Sequence, residues 1–109
     1  MNIKKLQLKI CKKYQSEFEQ LQSDEMVAVA LDTLGQMPIC GERIVLEAGQ
    51  NVSWFIHCGE HSDAEDFYKP VHWYHLIDLL PEVLPYLGLS QGFRFIIDNE
   101  GYEDVWSEI

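Results

Sequence analysis

Apolar and polar positions alternate with two different periods along the chain. Ile3, Leu6, Ile10, Tyr14, Phe18 and Leu21 recur at spacings of three and four. That spacing predicts an amphipathic helix over residues 2–22, with lysines around its other sides. Residues 26–31 are apolar and small, and predict a strand against which a helix can pack closely. Residues 32–41 contain Gly35, Pro38 and Gly41 and predict a loop. Residues 43–47 and 52–57 predict the two arms of a hairpin, turned at residues 48–51 where Gly49 can take a positive φ. Residues 58–70 predict the longest irregular stretch. Trp73, Leu76, Ile77 and Leu80 then place one apolar face on a helix over residues 71–80, which Pro81 stops. Leu84 precedes Pro85, so residues 82–87 hold at most a turn of 3₁₀ helix. Residues 93–97 and 102–107 predict a final hairpin around a turn at residues 98–101.

These elements predict an α+β fold: a mostly antiparallel sheet of about five strands, covered by the N-terminal helix and a central helix. A chain of 109 residues is expected to form a single domain spanning residues 1–109, with the helix at 2–22 and the sheet and central helix within 26–109. Trp54 and Trp73 are the expected core tryptophans. Tyr102 and Trp106 fall on one strand face and should be buried or exposed together. No apolar run is long enough to span a membrane. Residues 1–13 lack the apolar core and small-residue cleavage site of a signal peptide. The three cysteines, Cys11, Cys40 and Cys58, are an odd number without framework spacing, as expected of reduced thiols in a cytoplasmic protein.

Charge adds an asymmetry. The five charged residues among residues 1–13 are all lysines, whereas the remainder sets three basic residues against eighteen acids. A body this acidic repels nucleic-acid phosphate and favours encounter with a basic partner. Lys4 and Lys5 fall in the first helical turn, where the helix dipole prefers acids; proximity of the helix to the acidic body would offset this. Four acids, Glu60, Asp63, Glu65 and Asp66, lie within seven residues of the long loop. Glu100 sits in the last turn, and Glu103 and Asp104 follow on the last strand. These seven acids are the candidate partner-binding residues, since they combine charge with nearby aromatic anchors.

Other chemistries find less support. His72 and His75, joined by His57 or Cys58, contain zinc-type ligands and form the alternative of a metal- or small-molecule-binding domain, but the spacing matches no common zinc motif. Glu103 and Asp104 are adjacent on a strand, so they point to opposite faces and cannot work as an acid/base pair. No Ser or Cys nucleophile has a recognisable base and orienting group, and no glycine-rich phosphate cradle is present. Neither an enzyme nor a cofactor is expected.

The segments Asp66-Phe67-Tyr68-Lys69-Pro70-Val71-His72, Leu80-Pro81-Glu82-Val83-Leu84-Pro85-Tyr86-Leu87, Gly92-Phe93-Arg94-Phe95-Ile96-Ile97-Asp98 and, most specifically, Gly101-Tyr102-Glu103-Asp104-Val105-Trp106 resemble the immunity-protein family numbered thirty-three of bacterial polymorphic-toxin systems. Gly41-Glu42-Arg43-Ile44-Val45-Leu46-Glu47 with Val52-Ser53-Trp54 is similar to that group and its relatives of unknown function. The resemblance covers roughly residues 41–107. It implies a small cytoplasmic protein that binds and neutralises a cognate toxin, and it carries over no active site.

Overall fold

The computed structural model describes residues 2–108. Its elements are α1 (Ile3–Lys13), β1 (Met26–Val29), β2 (Ile39–Arg43), β3 (Val52–Cys58), β4 (Lys69–His72), α2 (Leu76–Leu79), β5 (Phe93–Ile97) and β6 (Glu103–Ser107), with 3₁₀ segments at Leu31–Thr33, Trp73–His75 and Pro81–Tyr86. The strands form one six-stranded sheet in the order β4-β1-β3-β2-β5-β6. Only the β1–β3 pairing is parallel. The α+β class and mostly antiparallel sheet are as expected; the sixth strand, β4, is additional.

Helix α1 stops at Lys13, well short of residue 22. Asn2 caps its start by accepting from the Lys5 amide at 3.0 Å. At its end Gln15 takes a left-handed φ of 58°. The Ser16 amide donates back to the Cys11 carbonyl at 2.8 Å and the Gln15 amide to Lys12 at 3.4 Å, the bonding pattern of a Schellman cap. Phe18 and Leu21 still pack on the core, but from extended chain: Phe18 bridges Leu89, and the Glu19 amide donates to the Gly88 carbonyl at 2.9 Å. A Cβ on Gly88 would come within 2.7 Å of the Phe18 ring, so glycine permits this approach. Lysine-rich α1 packs chiefly on the Pro81–Tyr86 segment, with Gln7 donating to the Leu84 carbonyl at 3.0 Å.

Two strands sit elsewhere than the pattern predicts. Strand β2 spans Ile39–Arg43: it begins within the expected loop of residues 32–41 and overlaps the expected strand of residues 43–47 only at Arg43, and residues 44–47 lie beyond it with Val45 exposed. Gly41 reads as a breaker in sequence, yet it is a strand residue at which only glycine fits, because a Cβ there would come within 2.2 Å of the Phe95 ring. Strand β4 takes residues from the expected loop and from the expected central helix. Pro70 biases Lys69 to extended backbone and is tolerated because β4 is an edge strand. The helical part is thereby cut to residues 73–79. Leu76 and Leu80 are buried as expected, Trp73 is half-buried, and Ile77 is exposed.

The core lies on one face of the sheet. Val27, Val29, Ile39, Trp54, Ile56, Cys58, Phe95, Ile97 and Val105 point inward and meet Leu76, Leu80, Val83, Leu84, Leu87 and Leu89. Trp54 is fully buried, 5.5 Å from Phe95, and Tyr86 stacks on Phe95 at 4.9 Å. One charge is buried among them. Arg43 is 2% exposed, and its Nη1 donates to the carbonyls of Glu19 (2.9 Å), Leu87 (3.2 Å) and Leu89 (2.8 Å). Its Nη2 lies 3.8 Å from Glu25. Burial lowers the pKa of Arg43 and raises that of Glu25, outweighing their mutual attraction. Among the described residues no helix is long and apolar enough to cross a membrane.

Candidate protein-binding face

Side chains alternate across a pleated sheet, so the same strands that build the core present a second face outward. Strand pairing aligns one outward row across all six strands: Pro70, Ala28, Phe55, Glu42, Arg94 and Trp106. A second row aligns His57, Cys40, Ile96 and Asp104. Helix α1 and the segments around α2 lie on the inward side. The outward side is partly roofed by residues 59–68, which fold back over β3.

That roof is aromatic. Tyr68 meets Phe55 edge-on at 5.1 Å, and Phe67 meets Tyr68 at 4.9 Å and His61 at 5.4 Å. His57 lies 5.4 Å from His61, and its Nδ1 is 3.4 Å from the Tyr68 hydroxyl. Between roof and sheet opens a cavity of about 380 Å³, with Glu42, Phe55, His57, Tyr68, Arg94 and Trp106 among its lining. Arg94 Nη2 donates to Glu42 Oε1 at 2.9 Å, Arg94 Nε lies 3.6 Å from Glu108, and Trp106 donates its indole N–H to Glu108 at 2.8 Å. Burial, then the neighbouring His61, lowers the pKa of His57, so its ring is neutral at pH 7. Burial pushes the Cys40 thiol up, which keeps it protonated and a poor nucleophile.

The expected acids divide between the two faces. Glu60, Asp63, Glu65 and Asp66 are exposed on the roofing loop. Asp104 is exposed on the outward face opposite Ile96, and Glu100 is exposed in the β5–β6 turn. Cys58, Ile39 and Ile97 are in register, so the loop and this turn leave the sheet at the same end. Glu103 goes the other way. Its carboxylate accepts hydrogen bonds from Lys13 Nζ at 2.6 Å and from the hydroxyls of Tyr14 and Tyr86. Burial raises its pKa, but these three donors prevail and hold it below the ordinary carboxylate value. Glu103 thus anchors α1 to β6 and is not a free surface acid. Tyr102 is 53% exposed whereas Trp106 is half-buried in the cavity wall, so the two do not share one environment.

The histidine alternative does not assemble. His72 is aligned through Met26 with Val52, whereas His57 and Cys58 occupy the opposite end of β3. His72 instead stacks on Tyr74 at 5.2 Å, and Cys58 is buried. Among the described residues no group of three or more His, Cys, Asp or Glu side chains could hold a metal ion.

The sequence alone does not single out the lining residues Glu42, Phe55, Arg94 and Ile96. Their signal was present in continuous apolar runs. Trp54-Phe55-Ile56 and Phe95-Ile96-Ile97 give the sheet apolar surface on both sides, as expected of a sheet covered on both faces, while the helical segments cover only one.

The Imm33-like domain model matches residues 6–108 of this chain. No curated protein matches it, and no solved structure does.

Proposed function

The chain belongs to the Imm33-like domain family, and on that premise we propose that it is a non-enzymatic, cytoplasmic immunity protein that binds and neutralises a basic protein toxin. The observation that carries this proposal is the outward sheet face, apolar and aromatic at its centre and edged by Glu60, Asp63, Glu65, Asp66, Glu100 and Asp104. Aromatic side chains at the centre of an interface supply buried area, and acids at its rim speed encounter with a basic partner. The same acids disfavour nucleic acid and anionic membrane surfaces as partners. The net charge of −10 acts in the same direction at longer range.

The test has two parts. Tagged chain is used to capture the toxin from lysate at low and high salt, and the captured protein is expressed with and without the chain. A basic, growth-inhibiting protein that is released by salt, and whose toxicity the chain suppresses, is the expected result. Absence of protection would sink the function. A variant with Asp63, Glu65 and Asp66 all changed to Lys should bind at least about tenfold more weakly, mainly through slower association. Wild-type affinity in that variant would remove the loop from the binding face.

A further inference from the structure

We propose that the cavity on the outward face receives the guanidinium of one arginine side chain of the protein partner. This rests on the function proposed above and refines its site. The volume, about 380 Å³, lies at the lower end of the roughly 300–1,000 Å³ of small-molecule sites and suits one long side chain.

The walls and floor select a planar cation. Phe55, Tyr68 and Trp106 present rings to the space, and guanidinium groups stack on such rings while also bonding carboxylates. Glu42 supplies the carboxylate. Its Oε1 is taken by Arg94, but among the described residues Oε2 has no hydrogen-bond partner, and the side chain is 43% exposed. The resident cation does not reverse this preference. Arg94 lies between Glu42 and Glu108, with Asp104 also on this face, so carboxylates outnumber it. His57 is neutral at pH 7 because burial and His61 lower its pKa. An anionic ligand would meet a surplus of negative charge, and a neutral ligand would gain nothing from it.

The experiment titrates N-acetyl-arginine methylamide into the isotopically labelled full chain, followed by NMR, with the citrulline analogue as the uncharged isostere. Saturable shifts of the Trp106 indole N–H and of amides near Glu42, Phe55 and Arg94 are expected with arginine and not with citrulline. Trp106→Ala and Glu42→Gln should each weaken arginine binding on the order of tenfold. Trp106→Phe, which keeps a ring, should retain most of it. Thermal unfolding of each variant separates lost binding from lost fold. Equal response to citrulline, or undiminished arginine binding in a folded Trp106→Ala chain, would overturn the cavity assignment. Toxin capture with no arginine response, and with full toxin affinity in Trp106→Ala, would overturn it while leaving the immunity function intact. An arginine response without any toxin binding would support the cavity and overturn the function.

Discussion

Glu103 and Asp104 are neighbours in the chain with opposite fates. Glu103 points to the covered side of the sheet, where Lys13, Tyr14 and Tyr86 saturate its carboxylate. Asp104 points to the other side, beside the cavity, and is exposed. The same division appears in neighbouring pairs on β3, β5 and β6: Trp54 inward against Phe55 outward, Phe95 against Ile96, Val105 against Trp106. The inward member of each pair is buried and the outward member only partly so. Pleating alone thus separates residues that maintain the fold from residues available to a partner, one position apart.

Substitutions can break that division, and the tryptophans give the largest contrast. Trp54→Ala should cost about 3–5 kcal/mol of stability, as expected for emptying a fully buried aromatic site. Trp106→Ala, on the half-buried outward side, should cost about 1 kcal/mol or less. Urea denaturation of the two variants measures both; equal losses would show that the outward face is part of the core.

Glu103 gives a smaller effect with a pH signature. Because its carboxylate is held below the ordinary value, its contribution to stability is present at neutral pH. That contribution is lost as pH falls below about 4.5 and through the depressed pKa. Glu103→Gln should lower stability at pH 7 by about 1–2 kcal/mol. It should also flatten the fall in stability between pH 5 and 3, as read from unfolding curves across that range. An unchanged acid profile would show that the Lys13–Glu103 contact contributes little.

The loop acids should give the smallest effect on folding. Changing Asp63, Glu65 and Asp66 to Lys should alter stability by no more than about 0.5 kcal/mol per site, because all three are exposed. A larger loss, seen by thermal unfolding, would mean that the roof over the cavity depends on these charges.

The chain sequence displays one of these faces far better than the other. Leu76, Leu80 and Trp54 announce themselves through periodicity or size, and the final hairpin through its polar turn. The acids of the loop are visible as a charge run. Arg43 is not legible in the same way, because its burial depends on carbonyls at residues 19, 87 and 89 that no local pattern connects. Gly41 misleads for a related reason: it resembles a turn residue until Phe95 is seen to occupy the space of its missing side chain. Glu42, Phe55, Arg94 and Trp106 become one site only through the register of β3, β2, β5 and β6, and register is a tertiary property.

The chain order of the sheet has a consequence for timing during synthesis. Trp106 comes from β6, the final strand, while Phe55 and Tyr68 are made much earlier. Glu103, on the same strand, supplies the bonds that fasten Lys13 and Tyr14 near the start. A ribosome must therefore release β6 before either face is whole. A nascent chain exposes the aromatic surface of β3 without its Trp106 wall and has no Glu103 carboxylate to hold α1. The outward face is complete only once β6 has paired with β5, the same step that adds Val105 to the core behind it.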